Sequence, residues 1–239
     1  MASFRIFLLF LLTFIKSDDW TARAVCTSPT LLWSDEFDAA TLDTSSWNYF
    51  TGTAYNNELE YYTSRPENVR LENGSLVIEA RAEAYGGMNY TSARIDTRLK
   101  RAFYPGVSVN GTVIPKIRYE ARMKLPKGQP FNNQGHYRPT SFNLGLEWHT
   151  YAFEWSYNQM WWFIDGMLYY TTHSYSLSDE GWWTSSQTTT PTGPNSPFDA
   201  PFYIILNLAV GGDWPRAPDA STVFPSQLLV DYVRVLGYW

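Results

Sequence analysis

Glu58 and Glu60 stand two residues apart in Asn56-Asn57-Glu58-Leu59-Glu60. On a strand, residues i and i+2 share one face, with Cα atoms about 6.8 Å apart. Hydrolysis of a glycosidic bond needs two carboxyl groups, about 5–5.5 Å apart for retention or about 6.5–9.5 Å apart for inversion. The Glu58/Glu60 spacing is tolerable for that chemistry, and two solvated glutamates on a wet face would read the same way. Other chemistries are excluded. His136, His149, His173 and the single cysteine, Cys26, have no zinc-ligand spacing. There is no Gly-x-Ser-x-Gly elbow and no phosphate-cradling glycine loop.

Aromatic side chains make up 18 % of the 239 residues, more than the 17 % that are charged. That balance excludes a disordered chain. Trp and Tyr suit sugar binding, because a ring lies on the apolar face of a pyranose while its polar handle reaches a hydroxyl. Most of these rings must also serve the core. The formal net charge of −5 with no basic run argues against a nucleic-acid partner. It favours a neutral polysaccharide over a sulfated one.

The elements that would position such residues are strands. In Lys116–Leu125, Ile117, Tyr119, Ala121, Met123 and Leu125 alternate with charged residues, the pattern of a half-buried strand. Ser75–Glu83 alternates likewise, with Leu76, Ile78, Ala80 and Ala82 inward. His149–Ser156 also alternates. Met160–Tyr170 is a hairpin turning at Asp165-Gly166. Pro201–Val210 is nearly continuously apolar, so a central strand covered on both faces is expected there. Leu228–Tyr238 supplies a last strand. Many short strands between Gly, Pro and Asn turns predict an all-β sandwich or jelly roll. Thr184–Pro197 is a low-complexity stretch that reads as a surface loop.

Residues 1–24 read as a secretory signal peptide. Arg5 precedes the apolar run Ile6–Ile15, and Ala22-Arg23-Ala24 fits a small-x-small cleavage site. Ten residues are too short to span a bilayer as a helix. The expectation is a secreted, extracellular protein that leaves the membrane after cleavage, with residues 25–239 as one domain. Cys26 cannot pair within the chain. Asn73, Asn89 and Asn110 begin N-glycosylation sequons, expected in exposed turns.

Several segments together resemble glycoside hydrolase family 16, specifically its laminarinase-like endo-β-1,3-glucanases. Leu32-Trp33-Ser34-Asp35-Glu36-Phe37 looks like the family's opening strand. Asn56-Asn57-Glu58-Leu59-Glu60-Tyr61-Tyr62-Thr63 and Ser92-Ala93-Arg94-Ile95 follow in family order. Then come Tyr119–Pro126, His149–Trp155, Phe163-Ile164-Asp165-Gly166 and Leu206–Pro215. The resemblance implies a concanavalin A-like jelly roll of two antiparallel sheets, with a neutral β-glucan in the concave cleft. Asn57, Glu58, Arg94, Asn207 and Trp214 match positions that line that cleft. Glu36, Gly74 and Asp231 match positions that hold a structural Ca²⁺ in many members. The resemblance requires no cofactor and implies a monomer.

The family's catalytic signature is Glu-x-Asp-x-x-Glu, or Glu-x-Asp-x-Glu, with the first Glu as nucleophile and the last as acid/base. Residues i, i+2 and i+4 share a strand face, and the longer form needs one bulged residue to restore it. Of the eleven glutamates, only Glu36 opens a Glu-x-Asp, and Ala39, Ala40 and Thr41 follow Asp38. Neither form of the signature occurs. In the family it follows the Lys-Leu-Pro-x-Gly strand. Here that strand ends at Lys127-Gly128-Gln129, and Pro130-Phe131-Asn132 already resembles sequence beyond the signature. An excision of a few dozen residues at Gln129–Pro130 is therefore expected, leaving the inner sheet incomplete and no catalytic residues. The resulting readings are a truncated glucanase and a non-catalytic β-glucan lectin.

Overall fold

The structure is a computed structural model describing residues 29–126, 144, 147–174, 198–213 and 217–239. The predicted leader, Cys26, the Gln129–Pro130 junction, Thr184–Pro197 and Trp214 lie outside the described residues. Among the described residues there is no helix, and none is long and apolar enough to cross a membrane.

Fifteen strands run in the order β1 (Thr30–Asp35), β2 (Asn48–Phe50), β3 (Glu60–Tyr62), β4 (Val69–Glu72), β5 (Ser75–Tyr85), β6 (Met88–Ser92), β7 (Arg94–Asp96), β8 (Ser108–Val109), β9 (Thr112–Val113), β10 (Lys116–Lys124), β11 (His149–Ser156), β12 (Gln159–Ile164), β13 (Met167–His173), β14 (Ile205–Asn207) and β15 (Ser226–Tyr238). A ten-stranded outer sheet follows the path β13-β12-β11-β10-β15-β5-β6-β3, with β1 on β15 and β4 on β5. Among the described residues the inner sheet holds three strands, β14-β7-β2. This is the expected all-β jelly roll.

The alternation in β10 holds: Ile117, Ala121 and Met123 are buried, while the intervening Arg118, Glu120 and Arg122 form ion pairs with Glu154 and Asp231 and within the strand. Met123 pairs with His149 and Tyr119 with Phe153, so the inner faces of β10 and β11 are continuous. Asp165 and Gly166 turn the β12–β13 hairpin with φ of +50° and +76°, the left-handed pair that a two-residue turn matching strand twist requires.

Three expectations need correction. Ala82 is exposed, as are Ala84 and Tyr85, because the end of β5 runs out into solvent. The Pro201–Val210 run yields a strand only at Ile205–Asn207. Among the described residues that strand pairs with β7 alone. Pairing is not wholly antiparallel either. β3 runs parallel to β6, Glu60 facing Tyr90 and Tyr62 facing Ser92. A long crossover through β4 and β5 makes that geometry available.

Trp47, fully buried, anchors the core between the sheets with Leu76, Ile78, Ile95, Ile117 and Val235. Its indole N–H donates to Asp35 Oδ2 at 2.8 Å, satisfying the polar edge that burial would otherwise leave unpaired. Asn73 and Asn110 sit in exposed two-residue turns as expected. Asn89 is exposed, but on strand β6 and not in a turn.

Candidate functional site

Arg94 is the middle of a three-residue row. It faces Asn207 of β14 on one side and Phe50 of β2 on the other. Residues directly opposite in antiparallel strands project from the same face. The neighbouring row, Leu206 and Ile95, points into the core and is buried. Asn207, Arg94 and Phe50 therefore occupy the face turned away from the core. The Arg94 guanidinium lies 5.0 Å from the Phe50 ring centroid, within cation–π range. Arg94 is 6 % exposed, and its Nε has no hydrogen-bond partner. A buried guanidinium N–H without an acceptor is costly, and such a group stands ready for a ligand oxygen.

Tyr62 joins this row to the segment before β3. Asn207 Nδ2 donates to Tyr62 Oη at 2.9 Å, and Tyr62 Oη donates to Glu58 Oε2 at 3.2 Å. The Tyr62 ring stands edge-on to Phe50 at 5.9 Å. Burial foremost, then the nearby Glu60 and Glu58 charges, pushes the Tyr62 hydroxyl well above its ordinary pKa. It remains a neutral donor that orients Glu58.

The loop carrying Asn57 and Glu58 is stapled to the segment after β14. Leu59 N–H donates to the Val210 carbonyl at 2.9 Å, and Asp213 N–H to the Asn56 carbonyl at 2.9 Å. Asn57 Nδ2 reaches both carboxylate oxygens of Asp213, at 3.0 and 3.1 Å. Asn56 and Asn57 both take left-handed φ values, +66° and +53°, which asparagine tolerates better than most residues. Gly212 permits the approach: at φ +103°, a Cβ there would lie 2.7 Å from the Asn56 carbonyl oxygen.

Glu60 behaves differently from Glu58. It is fully buried, and its Oε2 accepts the Val210 N–H at 2.8 Å. Its Oε1 has no partner. Burial, and secondarily the charge of Glu58, pushes its pKa from 4.5 up to about 7, against the lowering pull of Tyr62 and the Val210 amide. The i, i+2 spacing thus does not put both carboxylates before a substrate. Glu58 precedes the strand, and Glu60, on the strand, is fully buried with its carboxylate on the Val210 amide.

The Glu60 shift has a consequence for stability. Between pH 4.5 and about 7 the folded chain holds a proton that the unfolded chain has lost. Stability therefore falls as pH rises through that window and levels off above it, by about 3 kcal/mol at most. Glu60→Gln should flatten this slope in urea titrations between pH 5 and 8, and an unchanged slope would contradict the assignment.

The structure thus brings together Asn57, Glu58, Arg94 and Asn207, while Trp214 lies outside the described residues. Phe50, Tyr62 and Asp213 belong to the same constellation and were not singled out by sequence reasoning, while Glu60 was singled out only as the partner of Glu58. Tyr62 had a legible signal, its i, i+2 position with Glu60 on a short strand. Of the residues expected to hold a cation, Glu36 accepts from Arg234 at 3.0 and 2.7 Å, and Asp231 accepts from Arg122 at 2.7 Å. Among the described residues no three His, Cys, Asp or Glu side chains cluster to hold a metal.

No family model matches the chain. Individual proteins do. A β-glucanase of Rhodothermus marinus is 34 % identical over 261 positions, spanning 86 % of this chain and 84 % of that protein. The chain belongs to glycoside hydrolase family 16. A solved structure of SCLam, a non-specific endo-β-1,3(4)-glucanase from family GH16, superimposes with a TM-score of 0.66 at 28 % identity, covering 89 % of this chain and 92 % of that one. Glucan endo-1,3-β-glucosidase A1 of Niallia circulans is 34 % identical over 263 positions, covering 86 % of this chain but 37 % of the relative. Membership of family 16 accounts for the jelly roll. The Rhodothermus alignment is longer than the chain itself. Its 261 positions draw on 86 % of 239 residues, so about 55 positions of the relative have no counterpart here.

Proposed function

We propose that this chain is a secreted family 16 domain directed at neutral β-1,3-glucan, and that as written it binds the glucan without hydrolysing it. The observation that carries the second half is the glutamate scan: no Glu-x-Asp-x-Glu or Glu-x-Asp-x-x-Glu occurs among the eleven glutamates. Without it a retaining mechanism has neither nucleophile nor acid. The full burial of Glu60 on the Val210 amide argues against Glu58 and Glu60 as a replacement pair.

The first half rests on the face described above. Arg94 supplies donors, Asn207 both a donor and an acceptor, Glu58 an acceptor, and Phe50 an apolar ring. A polyhydroxylated ring uses all four. The relatives act on β-1,3-glucans by their names, which supports the same ligand class here. The about 55 positions without counterpart support a missing catalytic segment over loss of the glutamates by point substitution. Affinity electrophoresis through gels containing laminarin tests the reading. Retarded migration, relieved by soluble laminari-oligosaccharide, is the expected result, and unaltered migration of the folded chain would overturn it.

A further inference from the structure

Two glutamates compete for one hydroxyl beside the cleft. Tyr62 Oη accepts from Asn207 Nδ2 at 2.9 Å and donates to Glu58 Oε2 at 3.2 Å. Glu60 stands two residues before Tyr62 on β3, so the two side chains leave the same face of the strand. They are close enough for each to act on the other's proton. A tyrosine hydroxyl has one proton to give. With Asn207 on its acceptor side, Tyr62 can give that proton to Glu58 or to Glu60, but not to both.

The surroundings of Glu60 favour its neutral form. The side chain is fully buried, Oε2 accepts the Val210 N–H, and Oε1 has no partner among the described residues. A buried carboxylate oxygen without a donor is costly, whereas a carboxylic acid carries a hydrogen there and becomes a donor itself. Its own segment supplies the titratable groups that act on it, the Glu58 carboxylate and the Tyr62 hydroxyl. From β6 comes Tyr90, its register partner across the parallel pair. The segment after β14 brings the Val210 amide, and Asp213 further on is taken up by Asn57. Arg94 of β7 is turned onto the Phe50 ring.

We infer that Glu60 is a positioning residue for the cleft: as a neutral acid it leaves the Tyr62 proton to Glu58, and as an anion it draws that proton away. The consequence for sugar rests on the proposed glucan binding; the positioning itself does not. With Glu60 neutral, Glu58 is held as an acceptor beside Asn207 and Arg94. With Glu60 ionised, two carboxylates repel across a single hydroxyl. Glu60 is fixed on the Val210 amide, so Glu58, on the segment before the strand, is the one that turns away. Burial and the Glu58 charge raise the Glu60 pKa to about 7, so the neutral form prevails below that pH and the anion above it. Affinity for laminari-oligosaccharide should therefore fall as pH rises through about 7, by about fivefold between pH 6 and 8. By reciprocity, sugar binding favours the neutral acid, and the complex takes up protons as it forms near pH 7.

Carboxyl carbon NMR of the glutamate-labelled chain tests the positioning without sugar. The Glu58 signal, identified by its loss in Glu58→Gln, should move in a step centred near pH 7. That step should vanish in Glu60→Gln, which keeps a donor on the buried edge and carries no charge, and shrink in Tyr62→Phe. Calorimetric titration with laminari-oligosaccharide at pH 6, 7 and 8 then reads the consequence. The natural chain should lose about fivefold in affinity across that range and, in two buffers of different ionisation heat, show proton uptake at pH 7. Glu60→Gln should show neither effect, whereas a merely structural Glu60 would leave both in place. The absence of a step near pH 7, a step undiminished in Tyr62→Phe, or a flat affinity in a chain that does bind would each overturn the inference and leave the glucan reading standing. If the step behaves as expected but no sugar binds at any pH, the glucan reading fails and the positioning stands. Should Tyr62→Phe not fold, the natural chain and Glu60→Gln still decide.

Discussion

Arg94→Met should weaken laminari-oligosaccharide binding about a hundredfold while leaving the melting temperature level or raised. The expectation comes from where the guanidinium sits. It is 6 % exposed, centred between Phe50 and Asn207 on the face turned from the core, with its Nε unpartnered. In the free chain that N–H is a desolvated donor with no acceptor, a standing cost of about 1–3 kcal/mol. A glucan hydroxyl turns that cost into a hydrogen bond, so Arg94 contributes more to the bound state than to the fold. Central, desolvated arginines at interfaces characteristically lose 2–4 kcal/mol on truncation. Methionine keeps the apolar stem against Phe50 and removes the orphan. Titration calorimetry with thermal melts of both proteins separates the effects. Loss of stability with unchanged affinity would make Arg94 a structural residue and contradict its role in the cleft.

The largest expected loss of stability is at Asn68. Its side chain is fully buried between β4, β5 and β6. Nδ2 donates to the Glu79 carbonyl at 3.0 Å and to Thr91 Oγ1 at 2.9 Å. Oδ1 accepts from Thr63 Oγ1 at 2.6 Å and from Arg65 at 2.9 Å. All four bonds leave together in Asn68→Ala, and three of the partners belong to buried residues, Thr63, Glu79 and Thr91. With each stranded group costing about 1–3 kcal/mol, a total near 4 kcal/mol is expected. That is a fall of roughly 8–16 °C in melting temperature for a domain of this size. Asn68→Asp keeps the volume but cannot donate, so it should lose nearly as much. If Asp were tolerated, the two donated bonds would not matter. Because Asn68 ties Thr63 and Thr91 together, its loss would also loosen β3 against β6 and, through Tyr62, the cleft.

Much of this architecture was legible in the chain. Strands with one wet face announce themselves by alternation, and β10, β11 and the Asp165-Gly166 hairpin fall where the pattern puts them. The misses share a cause. Apolar continuity at Pro201–Val210 reports burial, and burial is silent about hydrogen bonding, so the run yields only the short strand Ile205–Asn207. Parallel pairing of β3 with β6 joins residues about thirty positions apart, which no local pattern encodes. Ala82 lies where β5 runs out into solvent, which alternation cannot show. In the cleft, Arg94 and Asn207 were legible only through the resemblance of their flanking motifs, since neither spacing nor composition makes one arginine special. Tyr62 was hidden for the opposite reason. A buried Tyr reads as core and an acidic pair reads as surface, and only the three-dimensional arrangement shows Glu58 bonded to Tyr62 and Glu60 fully buried on the Val210 amide.

The central claim is recognition without hydrolysis, and one experiment addresses both halves. Laminarin is titrated into the purified, folded chain in a calorimeter, and the recovered cell contents are assayed for new reducing ends after prolonged incubation. Saturable heat with no reducing ends above a protein-free control is the predicted result. Reducing ends that grow with protein concentration, and vanish in a Glu58→Gln variant, would show that this chain assembles a catalytic site from other carboxylates and would contradict the account.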